Sequence, residues 1–447
     1  MAHIFFQLGS QADISEEELY STFNVETEIL SGFAFGELPK QKVKKKFDEL
    51  GGIMRAGVVL GEEKNFEGVQ QGIIEHATRN ATEGKKMKIG IFIGSNQGWK
   101  KFGIGLQKAI KLASKGDEYS DESKFSVRIV NRDAKNLDSY AVHKEKLLEK
   151  GNAEYVCIPL PTGWAWGISI GVQKAFDFAA RDMKKPIRDM KVGMIPPKLA
   201  RIMINMTRDE SGNLPAKIYD PFCGMGTVLL EGMSLGLKVA GSDIAKRMVE
   251  ATKKNTKWYF DYEERTSRLA MSSEEKAERD TRFKQLGKEQ RDDKFNEFSV
   301  DEDYVSNKKP SADNKKEPFF LRDIFMKDAT KSFYPDQKKK INKSAVVGEG
   351  FLGKIFHKPV NQEQYKIQKE ELFPMYRQFL FQISKENISK IVFAFPFWIG
   401  ENNQTYSFVS DLISFADKLG VKLVKSPIRY IREGQVVGRE IVTFEKK

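Results

Sequence analysis

The residues whose types and spacing could do chemistry are concentrated in one run, Asp220-Pro221-Phe222-Cys223-Gly224-Met225-Gly226-Thr227, where the apolar segment KIYD gives way to the helical pattern VLLEGMSLG. In an open parallel sheet, a strand-to-helix turn of this kind is where nucleotide-like ligands lie. Gly224 and Gly226 leave the backbone bare there, which permits close approach by the methionine and ribose parts of a cofactor. Main-chain amides and the helix N-terminus then face its carboxylate. Tight strand-to-helix connections need glycine for packing alone, so the eight-residue string carries more weight than its glycines. Asp243 closes the following strand, KVAGSD, where a carboxylate can accept from both hydroxyls of a ribose. The competing reading of Asp243 is an N-cap for the helix AKRMVEATKKN. The turn lacks the G-x-G-x-x-G spacing of dinucleotide enzymes. Further on, Asp328-Ala329 follows FFLRDIFMK at a strand end, where the Asp could accept from an adenine amino group.

These residues need a scaffold, and the chain has the length for two or three domains at 447 residues. Residues 4–8 (IFFQL) predict a strand, and Ser15 with Glu18 predicts a capping box for the next helix, in a small α+β unit over 1–60. Strand, helix and strand recur over 61–180, with Trp99, Phe102, Trp164 and Trp166 among basic residues. Trp164 and Trp166 alternate along a strand, a pattern that favours packing over recognition. A linker and the start of the next domain cover 181–210, and 211–447 predicts a βαβ-based domain interrupted at about 259–318 by a charged insertion. The first part of the insertion predicts a charged helix and the second (SNKKPSADNKKEP) a disordered stretch.

Composition narrows the function classes. The net charge is +12, and lysines cluster at 40–46 and again at 85–111. That surplus suits a polyanionic partner or a set of solvated faces. No apolar run is long enough to span a bilayer, and the N-terminus lacks the pattern of a signal peptide, so the expected location is cytoplasmic. Cys157 and Cys223 stand far apart and the histidines are scattered, so no metal site is expected.

At DPFCGMGTVLLEG and GSDIAKRMV the chain resembles the THUMP-domain tRNA guanosine-N2 methyltransferases, the archaeal and eukaryotic enzymes that act at guanosine ten. RDMKKPIRDMKVGMIPPKLARIMINM (181–206) looks like that family's link between halves, REGQVVGREIV like its closing hairpin, and FFQLGSQADISEEEL like its opening strand and helix. The resemblance implies an α/β chain: a Rossmann-like methyltransferase domain, with a mostly parallel seven-stranded sheet and a C-terminal antiparallel hairpin, preceded by a THUMP-containing RNA-binding region at 61–180. It implies S-adenosyl-L-methionine as cofactor, bound by Asp220, Pro221, Phe222, Cys223, Gly224, Gly226, Thr227, Asp243, Ile244, Asp328 and Ala329. It implies tRNA as partner, with Lys85, Lys86, Lys100, Lys101, Arg188 and Lys198 as candidate contacts. It leaves open a small activating subunit and either a monomer or a small complex.

The chain departs from the family where it matters. Amino methyltransferases of this kind hold the target amine with an Asp/Asn-Pro-Pro-Tyr/Phe turn, but the corresponding place reads Val347-Gly348-Glu349-Gly350-Phe351-Leu352-Gly353. Aligned on its final glycine, the turn puts Glu349 at the acidic position; aligned on the ring, it makes Phe351 the stacking residue and leaves Gly348 there. Catalysis is expected if Glu349 accepts from the amine, Phe351 covers the base, and Gly348 and Gly350 shape a tight turn with exposed carbonyls. A turn without a catalytic role in an RNA-binding protein, and a different target base such as adenine N6 in RNA or DNA, are the alternatives.

Overall fold

The computed structural model describes all residues except 83–84, 96–97, 116–125, 132–134, 189–193, 271–318 and 447. The disordered stretch expected within the insertion lies outside the described residues, as does the expected charged helix beyond Ala270, where the helix Lys246–Ala270 reaches the edge of the described residues. Among the described residues, the strands form two sheets.

The N-terminal sheet has eight strands in the order β2-β3-β1-β4-β8-β7-β5-β6. These are β1 Ala2–Leu8, β2 Glu28–Leu30, β3 Phe33–Leu38, β4 Ile53–Glu63, β5 Met87–Ile93, β6 Val127–Ile129, β7 Ala153–Leu160 and β8 Gly163–Val172. β4 crosses residue 60 and pairs with β1 on one side and β8 on the other. The stretches 1–60 and 61–180 are therefore continuous through hydrogen-bonded backbone.

One local expectation is corrected here. Ser15 is not an N-cap: the helix Ala12–Phe23 begins earlier, after Gln11, and Ser15 Oγ donates instead to the Gln11 and Gly52 carbonyls. Glu18 reaches across to accept from the Gly51 and Gly52 amides, both at 2.7 Å, because burial demands a partner for every carboxylate oxygen. Tertiary contacts have overridden a local signal. Trp99 and Trp166 are buried and Trp164 packs edge-on against Phe66 and Phe102, which makes these rings core rather than a stacking platform.

The second sheet follows the order β11-β10-β9-β12-β13-β17-β15, with β14 and β16 added at its side. Its strands are β9 Lys217–Asp220, β10 Lys238–Asp243, β11 Ile324–Met326, β12 Ser344–Glu349, β13 Ile388–Ile399, β14 Thr405–Tyr406, β15 Val421–Leu423, β16 Ile428–Tyr430 and β17 Val437–Lys446. β11 to β13 run parallel, and β17 runs antiparallel to β13. The seven-strand path with one reversed strand is the expected Rossmann-like arrangement. β13 reads IVFAFPFW because it is covered on both faces, where alternation is not needed.

The halves meet along the helix Pro197–Asn205, started by Pro197 at its first position, where a missing N–H costs nothing. Its Leu199, Ile202 and Met203 share one apolar cluster with Ile14 of the N-terminal half and Ile218 of β9. Asn205 Nδ2 donates to Glu18 at 2.6 Å, and Arg208 pairs with Glu49 at 2.5 Å across the same seam. Among the described residues, no helix is long and apolar enough to cross a membrane, and no group of acidic, His and Cys side chains is arranged to hold a metal.

Candidate active site

β9, β10, β11 and β12 all end on one edge of the sheet, so Asp220, Asp243, Met326 and Glu349 are delivered to the same side by parallel pairing. A cavity of about 990 Å³ opens there, the size class of a small-molecule site. One wall is Asp220–Met225, Thr227 and Val228 with Asp243–Ala245 and Lys327–Thr330; the other is Glu349–His357 with Met375, Gly434–Val437 and Arg439.

On the first wall the backbone makes the shape. Gly224 (φ +49°) and Gly226 (φ +81°) both take left-handed conformations that other residues adopt only under strain. A Cβ added to Gly224 would find only the Phe222 carbonyl, at 3.9 Å, so that face is open toward the cavity. On Gly226 it would press on Thr252 of the next helix, and Gly226 does not line the cavity. Asp243 clasps the region, accepting from the Gly224 amide at 3.0 Å through one oxygen and from the Ala245 amide at 2.9 Å through the other. Each oxygen keeps a lone pair for a further donor, but Asp243 is not the helix N-cap: the next helix begins at Lys246, and the carboxylate meets the Ala245 amide ahead of it. Pro221, Phe222, Cys223, Thr227 and the exposed Ile244 also line the cavity.

Asp220 is buried, with the Phe222 amide donating to it at 3.0 Å. Burial holds its carboxyl well above the usual range, and the nearby Asp243 and Glu349 charges push the same way. Gly348 lies against it, and a Cβ at that position would stand 2.6 Å from Asp220 Oδ1. The glycine at 348 therefore permits close packing of strands; it does not line the cavity, so the alignment that assigned it the acidic position has no support in the geometry.

Asp328 lines the cavity with Ala329, one of its oxygens taking both the amide (2.9 Å) and the hydroxyl (2.6 Å) of Thr330. Burial tends to raise its carboxyl, but those two donors win and hold it below the ordinary value. Sequence reasoning missed its neighbour Lys327, which is buried and donates Nζ to the carbonyls of Asp328 (3.2 Å), Lys331 (2.9 Å) and Ser332 (3.0 Å). Its amide also donates to the Asp243 carbonyl at 2.9 Å, tying the two carboxylate-bearing strand ends together. A single lysine in a lysine-rich chain gives no signal of this.

On the second wall Glu349 is not a free acceptor. Arg439 of β17 grips it through Nε and, at 3.3 Å, through Nη2, and both side chains are nearly sealed from solvent. Burial raises the Glu349 carboxyl and Arg439 opposes that without cancelling it. Arg439 was also missed, because nothing in REIV foretells a partner ninety residues back. Phe351 is 55% exposed and lines the cavity, as a ring that stacks on a planar ligand must.

The candidate RNA contacts divide. Lys85, Lys86, Lys100, Lys101 and Arg188 are exposed. Lys198 is half-buried at the seam between the halves, with Nζ 3.6 Å from Met54 Sδ and 5.9 Å from the Phe178 ring, so its setting is a packed junction rather than an open basic face.

Residues 186–281 match the RMKL-like methyltransferase domain family. The tRNA (guanine(10)-N2)-dimethyltransferase of Methanothermobacter thermautotrophicus is 42% identical over 80 residues, 18% of this chain and 22% of that one. The enzyme of the same name from Pyrococcus abyssi is 45% identical over 65 residues, 14% of this chain and 18% of its own length. Among solved structures, TrmN from Thermus thermophilus aligns over the whole of both chains at 12% identity and a TM-score of 0.45. The chain thus spans about a fifth of the length of those two curated relatives. The stretch 186–281 that matches this family holds the glycine turn and Asp243, which line the cavity.

Proposed function

We propose that this chain is an S-adenosyl-L-methionine-dependent tRNA methyltransferase acting on the exocyclic N2 of a guanosine, at position ten. The observation that carries the reading is the cleft, where an open glycine cradle, a carboxylate at the end of the next strand and a second carboxylate at Asp328 meet one cavity with an exposed aromatic ring opposite. That donor set fits the cofactor: the open Gly224 face and the helix N-terminus at Thr227 for an amino-acid carboxylate, Asp243 for ribose hydroxyls and Asp328 for an adenine amine. S-adenosylmethionine supplies an electrophilic methyl group on a sulfonium.

The chain's own part is then to bind and orient. Phe351 offers a face to a base turned out of its stack, and Glu349 and the Gly350 carbonyl supply acceptors for the amine protons. Amine attack on a sulfonium gains most from alignment and a nearby acceptor, so a neutralised ion pair such as Glu349–Arg439 suffices where a free carboxylate is absent. The exposed lysines at 85–101 supply sequence-independent attraction for phosphates, in a region read as THUMP-like.

The test is transfer of a tritiated methyl group to tRNA lacking the modification, followed by nucleoside analysis. N2-methylguanosine or its dimethyl form is expected. Label on another nucleoside would move the substrate, and no label on any RNA would end the reading.

A further inference from the structure

The turn that ends β12 lacks the two prolines that would stiffen it, yet its backbone is fixed from one direction. Two side chains of the helix Gln362–Ile383 reach it, Gln368 and Tyr376, which are 1% and 0% exposed. They stand eight residues apart, roughly 12 Å along one face of a helix. Tyr376 donates its hydroxyl to the Phe351 carbonyl at 2.8 Å, and Gln368 Oε1 accepts from the Lys354 amide at 2.8 Å. The glycines of the turn fit these two groups. A Cβ on Gly350 would run into the Tyr376 phenol, and one on Gly353 into the Gln368 amide. Gly353 also has φ +83°, a conformation that glycine permits. Burial pushes the Tyr376 hydroxyl well above its usual range, so it stays a donor at every working pH.

We propose that Tyr376 and Gln368 are positioning residues for methyl transfer, holding the Gly350–Lys354 backbone so that the Phe351 ring stands over the cavity with Glu349 and the Gly350 carbonyl beside it. This inference rests on the function proposed above. Two buried side chains on one helix do here what a pair of rigid prolines does in an Asp-Pro-Pro-Tyr turn. Neither touches the reacting atoms; each acts through the turn.

The test uses the full chain with Tyr376→Phe and Gln368→Met, which delete one hydrogen bond each and keep the volume. In each variant kcat is expected to fall about tenfold, the scale of one buried hydrogen bond, while affinity for S-adenosylhomocysteine by calorimetry stays within about twofold. Amide exchange in the peptide covering 350–356 should accelerate about tenfold in Gln368→Met, because Lys354 loses its acceptor. Both variants turning over like the parent, with exchange unchanged, would overturn the inference while leaving the function intact. A variant that lost cofactor affinity together with turnover would mark a plain fold contact and overturn it too. A parent protein that methylates no RNA would bring down the function, and the positioning role with it.

Discussion

The run Asp220–Thr227 is shaped by two left-handed glycines, an amide-to-carboxylate bond at Asp220, Asp243 from the adjacent strand, and the helix that follows, whose Thr252 and Asn255 donate to the Gly224 (2.7 Å) and Met225 (2.9 Å) carbonyls. The facing run Glu349–Gly353 is shaped by residues far along the chain, with Arg439 on Glu349, Tyr376 on the Phe351 carbonyl and Gln368 on the Lys354 amide. The first wall takes its geometry from glycine conformation and the strand and helix that directly follow it; the second borrows its geometry from elements farther along the chain, a helix and the closing strand. Damage to the first should therefore show as lost cofactor affinity, and damage to the second as lost stability or lost turnover.

The largest expected effect breaks the second wall. Glu349→Ala leaves the Arg439 guanidinium buried without a partner, which costs about 3–5 kcal/mol of stability in denaturant unfolding. Adding Arg439→Met should restore part of that loss, since it removes the unpaired buried charge. If the single variant unfolds like the parent, the pair is not sealed from water as described. On the first wall, Asp243→Ala should weaken S-adenosylhomocysteine binding by about 1–3 kcal/mol. Unchanged affinity by calorimetry would show that the carboxylate does not face the ribose.

Lys327→Met sharpens the contrast at smaller scale. The three carbonyls of the Asp328–Ser332 loop lose their common donor, and affinity for S-adenosylhomocysteine is expected to drop by about 1 kcal/mol with little change in kcat. A fall in kcat at constant affinity would assign Lys327 to the other wall. The smallest effect concerns Cys223, whose thiol burial holds far above its usual range. Thiolate is the reactive form, so the native protein should resist thiol reagents at pH 8, and rapid labelling of Cys223 would contradict its burial.

The same contrast explains what could be read from the sequence. The DPFCGMGT turn, Asp243 and Asp328 were legible because strand, glycine turn and following carboxylate lie within a short stretch whose local rules suffice. The seven-stranded sheet was expected from the family resemblance, and its strand order follows from pairing between distant segments. Arg439, Tyr376, Gln368 and Lys327 were not legible, because burial and partner choice arise only when distant elements pack. Ser15 shows the converse error: a capping signal correct in form lost to the Gly52 carbonyl on the neighbouring strand. Glu349 was one of two candidates for the acidic position of its turn, and the strand that neutralises it lay beyond any local pattern.

The division between the walls can be tested in one paired titration of S-adenosylhomocysteine into Asp243→Ala and Phe351→Ala, read by calorimetry against the parent chain. The expected result is a single site whose affinity collapses at least about tenfold in the first variant and barely moves in the second, while the second alone loses methyl transfer to tRNA. Equal weakening in both, or an unaltered Asp243→Ala, would contradict a cleft with the cofactor on one wall and the base on the other.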